Sequence, residues 1–284
     1  METPMCSAYL GVCMTHSPGD EGSTQSLKTV TTTFDIIDAL ESLGGAGVTE
    51  LADHLDISKS AVYKHLYTLK ERKYVVKDGN DYRLSLQFLL LGEHVRNQNP
   101  LFRIGKPEIE KLADETGEYA HLTTEQHGLG INLCKIRGEH AVGTDYQIAK
   151  KQRANYLHSM ATGKAILAFL PEERVNWIID RYGLPEMTDS TLTDRETLFE
   201  SLAEIREQGY AVNDGEEVEG LRAVGAPIHD RDGSVLGALS VSAPKTRLSG
   251  DQFRKHIPEL VTRTANVIEV NLNMVERSSD IGSL

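Results

Sequence analysis

The sequence predicts an α+β protein in two parts, an N-terminal winged helix-turn-helix followed by a larger α+β domain. Three observations support this fold class. Residues 47–84 combine two short helical patterns with a hairpin pattern. From residue 107 onwards, amphipathic helices are interspersed with strands of alternating pattern. The 284 residues, 39% of them hydrophobic, are enough for two modest cores.

The helix-turn-helix is predicted from residue spacing. The first helix, residues 51–55, has one apolar face, and Ser58 is placed to cap a second helix. In that second helix Val62, Leu66 and Leu69 recur at i, i+4 and i+7, which makes them the inward face. A short helix, a tight turn and a capped second helix are the order that DNA-binding modules use.

The opposite face of the second helix is polar. It holds Ser60, Tyr63, Lys64 and Tyr67, a set of hydroxyls and one amine that suits the major groove of DNA. Residues 58–77 carry six Lys or Arg and one acid, a local charge of +5. Positive charge therefore lies where the helix would meet phosphate.

A basic hairpin follows and is predicted to be the wing. Two strands, Tyr74–Lys77 and Tyr82–Leu84, flank the turn Asp78-Gly79-Asn80. The DNA-binding residues predicted from these patterns are Ser58, Lys59, Ser60, Tyr63, Lys64, Tyr67, Lys70, Lys77 and Arg83. Among them Ser60, Tyr63 and Lys64 are expected nearest the base edges, and the Lys59, Lys70, Lys77 and Arg83 side chains mainly at phosphate.

The alternative is a purely structural helical core with a solvated basic face. Helix-turn-helix spacing and basic helices both also occur in proteins that bind no nucleic acid.

The elements after the wing are predicted in order. Leu86–Gln98 is a linker helix with an apolar stripe that could join domains or pair with its copy, and Asn99-Pro100 ends it. The remaining helices are Pro107–Thr116 (with Gly117 as C-cap), Gly163–Leu170, Glu172–Tyr182, Arg195–Gln208 and Phe253–Val275; the strands are Tyr119–Glu125, Gly130–Arg137, Ala141–Tyr146, Arg222–His229 and Val235–Ala243.

Composition restricts the possible classes of protein. No apolar run approaches the roughly 20 residues of a membrane span. Cys6, Cys13 and Cys134 form no CxxC pair, which favours a reducing, cytoplasmic setting. Residues 1–27 contain no Lys or Arg and are expected to be a disordered extension rather than a signal peptide. The net charge is −12, of which residues 28–96 carry only −1, so the acidic surface lies elsewhere and is typical of a salt-rich cytosol.

Catalytic motifs are missing from the sequence. There is no Walker loop, dinucleotide fingerprint, HExxH or GxSxG motif, so neither an enzyme nor a cofactor is expected. His121, His127 and His140 would be a metal site only if they met in space. Strand and turn histidines are more often ordinary surface or core residues, and no metal is expected.

Two segments indicate a binding site for a small molecule. Thr162 and Gly163 begin a predicted helix, where free backbone N–H groups favour an anion such as a carboxylate. Ser240 and Ser242 share one face of a predicted strand and add hydroxyls. Alternatively, Thr162 caps its helix, Gly163 permits tight packing, and the serines bond to neighbouring backbone.

Four segments in this order identify the chain as resembling the IclR family of transcriptional regulators, especially haloarchaeal members, over roughly residues 28–272. They are the winged-helix segment at 47–84, YLHSMATGKAILAFLPEE at 156–173, GYAVNDGEEVEGLRAVGAPI at 209–228 and GSVLGALSVSAP at 233–244. The resemblance implies a winged helix-turn-helix, a linker helix used in dimerisation, and a C-terminal effector domain related to GAF-type sensors.

The resemblance also implies a ligand and the residues that bind it. The effector would be a small organic acid, most generally a sugar acid or another carbon-catabolic intermediate. Carried over by position, the pocket falls on Thr162, Gly163, Asn213, Asp214, Ala223, Ser240 and Ser242. Many members have an acid in place of Asn213, a cysteine in place of Ala223, and different residues in place of Ser159-Met160. These differences should change the size and polarity of the ligand.

The function expected from the sequence is a DNA-binding regulator that senses a small anionic metabolite and controls metabolic genes. It would act on a palindromic operator in duplex DNA as a homodimer or dimer of dimers. The expected domains are an extension (1–27), a winged helix-turn-helix (28–84), a linker helix (85–105), an effector and oligomerisation domain (106–275) and a tail (276–284). An architectural DNA protein without ligand and a sensory enzyme are the alternatives.

Overall fold

A computed structural model describes residues 26–142 and 155–281, with side chains as far as residue 275. The extension predicted for residues 1–27 therefore lies almost entirely outside the described residues, and so do positions 143–146 of the strand predicted for Ala141–Tyr146. Ala141 and Val142 belong to no strand. The described residues divide into two compact units, and the division falls between Phe88 and Leu89.

The first unit is a three-helix domain with a small antiparallel sheet of strand order β1-β3-β2. Its elements are α1 (Lys28–Leu43), β1 (Ala46–Gly47), α2 (Val48–Leu55), α3 (Lys59–Glu71), β2 (Val75–Asp78) and β3 (Asp81–Leu84). The predicted helix-turn-helix and hairpin are confirmed. Neither α1 nor β1 was predicted, yet Ile36 and Leu40 of α1 pack with Leu51, Val62 and Leu66 in one buried core.

The second unit contains a five-stranded antiparallel sheet of order β5-β4-β8-β7-β6. Its strands are β4 (Tyr119–Gln126), β5 (Leu129–Arg137), β6 (Ala211–Asp214), β7 (Leu221–His229) and β8 (Val235–Pro244). Its helices are α5 (Pro100–Thr116), α6 (Ala161–Phe169), α7 (Glu172–Tyr182), α8 (Arg195–Gln208) and α9 (Ile257–Ile281). The α4 helix (Gln87–Gln98) contains the division between the two units. The predicted α+β fold class is confirmed.

Several predicted boundaries are wrong, each for a local reason. The α5 helix begins seven residues before the predicted Pro107, because Asn99 accepts the Phe102 N–H and Pro100 occupies the first turn, where a missing N–H costs nothing. Pro107 lies inside this helix. The α9 helix extends to Ile281, into the predicted tail, and a π-helical turn at Gln252–His256 precedes it. Strand β6 was not predicted, because four residues give little alternation.

The two faces of the five-stranded sheet have different neighbours. One face carries Leu122, Val224, Leu239 and Val241, which are fully buried in a core with α5 and α9. The other face packs at one end against α6, α7 and α8, in a second core that includes Ala211 and Ala238. Towards the other end of that second face, the side chains become polar.

Among the described residues, no helix combines the length and the apolar character that a membrane crossing would need.

Candidate functional site

The α3 helix has one buried apolar side and one exposed polar side. Val62 and Leu66 are fully buried and Leu69 is nearly so. On the other side, Tyr63 and Tyr67 are each 56% exposed. The Ser58 hydroxyl accepts the Ala61 N–H at 3.2 Å, which caps the helix as predicted. Ser60, Lys64, Lys59 and Lys70 are also exposed.

The wing places its two predicted phosphate contacts on opposite faces of the hairpin. Lys77 pairs with Tyr82, and its ammonium lies 5.7 Å from the centroid of the Tyr82 ring. Arg83 pairs with Val76, which is half exposed, and its guanidinium lies 3.8 Å from the Asp78 carboxylate. Because paired residues of an antiparallel ladder share a face and neighbours alternate, the two cations project to opposite sides.

The start of α6 offers backbone N–H groups on the second face of the large sheet. The helix begins at Ala161, and the first N–H with a partner inside the helix is that of Lys164, which donates to the Met160 carbonyl at 2.8 Å. The N–H groups of Ala161, Thr162 and Gly163 therefore have no acceptor within the helix. Thr162 lies in the first turn and is not the cap, because Met160 occupies that position without a side-chain hydrogen bond.

Gly163 is also required for packing. A Cβ atom at this position would lie 2.1 Å from the Leu157 carbonyl oxygen, in the 3-10 turn that precedes α6. Gly225 of β7 meets the same helix start, since a Cβ there would lie 2.9 Å from the Ala161 carbonyl carbon. Gly163 thus lets the 3-10 turn lie close against α6, and Gly225 lets the start of α6 lie directly on the sheet. A Gly163→Val variant would therefore disturb packing and would not test binding alone.

Next to the start of α6, the sheet carries a row of polar side chains. Strand pairing places Asn213, Ala223, Ser242 and Tyr119 side by side on β6, β7, β8 and β4. One step along the strands, Ser240 is paired with His121 of β4, and the His121 Nε2 atom lies 2.9 Å from the Ser242 hydroxyl. Tyr119, His121, Asn213 and Ser240 are all buried. The structure thus brings six of the seven predicted effector residues to one face.

The seventh predicted residue, Asp214, lies on the other face. It accepts two hydrogen bonds of 2.8 Å from the Arg222 guanidinium, and the Lys245 ammonium lies 2.9 Å away. The Arg222 hydrogen bonds, more than any other cause, lower the pKa of Asp214 to about 2. Adjacent residues of a strand point to opposite faces, so Asp214 and Asn213 cannot line the same pocket.

Asn213 holds the loop after β6. Its amide nitrogen donates to the Ser159 carbonyl, and its amide oxygen accepts the N–H groups of Gly215 and Glu216 at 3.1 and 3.0 Å. The amide is therefore already bonded to backbone on both sides. Asn213 therefore joins the loop after β6 to the 3-10 turn before α6.

A buried ion pair, not predicted from the sequence, supports the start of α6. The Lys164 ammonium lies 2.5 and 2.6 Å from the two carboxylate oxygens of Glu216, and the side chains are 3% and 11% exposed. Burial lowers the pKa of Lys164 and raises that of Glu216, while the attraction between the two charges opposes both shifts. A lysine in the otherwise small and apolar run ATGKAILAF was the available signal, because a buried ammonium needs a partner.

The three histidines considered as metal ligands do not meet. His121 lies on the polar row, His127 lies in the turn after β4, and His140 packs against Gly117 before β4. Within the described residues no group of three His, Cys, Asp or Glu side chains could hold a metal ion.

Comparison with known proteins matches both units. A family model described as "IclR helix-turn-helix domain" matches residues 29–79, and one described as "Bacterial transcriptional regulator IclR C-terminal" matches residues 93–270. The chain belongs to the IclR family of transcriptional regulators. As a member of this family it is a DNA-binding regulator and not an enzyme, so the alternative of a sensory enzyme is wrong.

Individual IclR relatives support the same assignment. The chain is 39% identical over 254 residues to the "Probable HTH-type transcriptional regulator ArcR" of Halobacterium salinarum, covering 89% of this chain and 97% of the relative. It is 31% identical over 244 residues to the HTH-type transcriptional regulator KdgR of Escherichia coli, covering 85% and 92%. The crystal structure of Thermotoga maritima IclR matches with a TM-score of 0.68 at 26% identity, covering 86% and 98%. The expected likeness to a haloarchaeal regulator is confirmed.

Proposed function

We propose that this IclR regulator reads an operator with α3 and that its C-terminal unit binds a small anionic metabolite that alters DNA affinity. The observation that carries the first part is the amphipathic α3 helix, with its apolar side in the core and its hydroxyls and amines exposed. A helix whose polar side is free to enter the major groove can bond to base edges.

The proposed contacts on DNA fall into two groups. Ser60, Tyr63 and Lys64 lie nearest the base edges, with Ser58 and Tyr67 beside them. The phosphate contacts are Lys59, Lys70, Lys77 and Arg83. Since Lys77 and Arg83 project from opposite faces of the hairpin, the wing suits a position between two phosphate strands, as at a minor groove.

A symmetric operator is part of the proposal. The α4 helix exposes Leu89, Leu90 and Val95, at 55%, 60% and 65%, in the segment expected to pair with a second copy. Two copies related by a twofold axis present two α3 helices, so a homodimer or dimer of dimers would bind a palindromic site in cytoplasmic DNA. The domain boundaries given by the sequence stay a prediction.

Operator binding can be tested on a site obtained by selection from random duplex DNA. Tyr63→Ala should change which sequences bind, because a contact to bases is lost. Lys77→Ala should weaken all sequences alike and lower the salt dependence by about one unit, because one phosphate contact is lost. Lys255→Ala removes an exposed lysine of the C-terminal unit and is the matched control. Equal losses on every sequence for Tyr63→Ala and Lys77→Ala would contradict the base contacts.

The proposed ligand site is the polar row at the start of α6. The N–H groups of Ala161, Thr162 and Gly163, together with the positive end of the helix dipole, favour a carboxylate. Ser240 and Ser242 carry hydroxyls on the same face, and Ala223, a small residue, lies between Asn213 and Ser242. These features support a small organic acid, with sugar acids as one class.

Ligand binding can be tested by the melting temperature of the full chain in a panel of small carboxylates, amines and neutral sugars. A ligand that binds only the folded state raises the melting temperature. We expect the carboxylates alone to do so. No shift with any carboxylate would favour the remaining alternative, an architectural DNA protein without ligand.

A further inference from the structure

The Tyr119 hydroxyl is a buried polar group without a hydrogen-bond partner among the described residues. Its side chain is only 4% exposed, at the start of β4. Leaving such a group unpaired costs free energy, so folded proteins seldom do so without a reason. One reason is that the partner arrives with a ligand.

The surroundings of Tyr119 hold it in place on the polar row. The Lys135 ammonium lies 4.5 Å from the centroid of its ring, and the His121 ring centroid lies 6.4 Å away. Tyr119 pairs directly with Ser242, whose hydroxyl is 2.9 Å from the His121 imidazole. A phenol, an imidazole and an aliphatic hydroxyl therefore lie together beside the start of α6.

This cluster differs in chemistry from the start of α6. The α6 N–H groups are donors only, which suits a carboxylate. A phenol hydroxyl can both donate and accept, which suits a group that does the same, such as an alcohol. The family-derived set of effector residues includes neither Tyr119 nor His121.

We propose that the Tyr119 hydroxyl, beside the paired His121 and Ser242 side chains, forms a second polar subsite that binds a hydroxyl group of the effector, so that the ligand is a hydroxy carboxylate rather than a simple acid. The inference rests on the proposed function, since it assumes that the carboxylate lies at the start of α6. A site that bonds a ligand hydroxyl rejects the analogue without it, because the buried protein groups are then left unpaired.

The test compares two tyrosine variants of the full chain. Tyr119→Phe removes a hydroxyl that has no partner in the free protein, so the melting temperature should stay equal or rise. Tyr182→Phe is the matched control in the same unit, because the Tyr182 hydroxyl donates to the His127 carbonyl at 2.6 Å. Its loss should lower the melting temperature and leave ligand binding unchanged.

The probes are acids matched in carbon number, namely glycolate and acetate, lactate and propionate, and gluconate and hexanoate, measured by titration calorimetry. In the wild type, at least one hydroxy acid should bind more tightly than its partner. Tyr119→Phe should weaken that hydroxy acid by roughly 5- to 100-fold and leave the partner unchanged, since one hydrogen bond to a buried group is lost.

Three results would count against the inference, and they differ in what else they overturn. If hydroxy acids bind equally well to the wild type and Tyr119→Phe, the subsite is wrong while the anion site stands. If simple acids bind as tightly as hydroxy acids, the ligand class is wrong. If no carboxylate binds the wild type, the anion site of the proposed function is wrong, and the subsite with it.

Discussion

The two faces of the C-terminal sheet are made by the same strands and have opposite chemistry. On β8, Leu239 and Val241 are fully buried against α5 and α9, whereas Ser240 and Ser242, which alternate with them, belong to the polar row beside α6. On β4, Leu122 and His121 divide in the same way. Residues one position apart therefore serve different purposes, stability on one face and recognition on the other.

Substitutions on the two faces should therefore have different effects. Changes on the apolar face should lower the free energy of unfolding and leave ligand choice intact. Changes on the polar row should do the reverse.

The largest effect is expected from Glu216→Gln, on the polar side of the sheet. The variant leaves the Lys164 ammonium buried without a counter-charge, which typically costs about 3–5 kcal/mol of folding free energy. Urea unfolding of both proteins at pH 7 measures it. A loss of this size would show that the Lys164–Glu216 pair stabilises the fold, although it lies on the polar side of the sheet.

Glu219→Gln serves as the control, since Glu219 is exposed in the same loop. It should change the free energy of unfolding by less than about 0.5 kcal/mol. Equal stability of the two Gln variants would mean that the buried pair does not stabilise the fold.

The second prediction compares the two faces directly, with Leu122→Ala against Ser240→Ala. Leu122 is fully buried and packs beside Gly105 of α5. Its truncation to Ala should therefore lower the free energy of unfolding by about 2–5 kcal/mol. Ser240→Ala should change stability by about 1 kcal/mol or less and weaken a bound carboxylate by roughly 5- to 100-fold. Urea unfolding and calorimetry on both variants decide the comparison, and a reversed pattern would refute the division of the faces.

The smallest effect concerns Asp214, the predicted effector residue that lies off the polar row. Its pKa in the folded chain, about 2, is below the ordinary value of 3.8, so its ion pairs stabilise the fold above about pH 4 and cease to do so as the pH falls towards 2. Asp214→Asn should cost less than about 1 kcal/mol at pH 7, because the carboxylate is 45% exposed, and progressively less as the pH falls towards 2.

Urea unfolding of the wild type and Asp214→Asn at pH 7, 4 and 2.5 measures how the difference in their free energies of unfolding decreases with pH. Asp251→Asn, at an exposed position of the same unit, is the matched control. Ligand affinity should be the same in Asp214→Asn and the wild type. A loss of ligand binding in Asp214→Asn would show that Asp214 belongs to the ligand site.

The parts of the fold that the sequence predicts well depend on local signals. Helices α7 and α8 agree with prediction at both ends, since α8 has Asp194 as a cap and Gly209 just after its last residue. Gly117, predicted as the cap of α5, has a φ of 70° and donates to the Ala113 carbonyl. The alternation of β8 likewise places Ser240 and Ser242 on one face.

The features that prediction missed depend on distant residues. Lys164 and Glu216 are 52 positions apart, and nothing near either residue identifies the other. Asp214 was assigned to the site by family resemblance. However, adjacent residues of a strand point to opposite faces, so Asp214 and Asn213 lie on different sides of the sheet. Tyr119 belongs to no sequence motif. It stands out only because its buried hydroxyl has no hydrogen-bond partner, and that depends on the packing around it.

The central claim is that occupancy of the polar row changes DNA affinity, and one thermodynamic cycle tests it. The dissociation constant of the selected operator is measured with and without a carboxylate that binds, and that of the carboxylate with and without the operator. Linkage requires the same factor in both directions, and we expect about 5- to 150-fold. Carboxylate binding to wild-type protein with unchanged operator affinity in both directions would contradict the account.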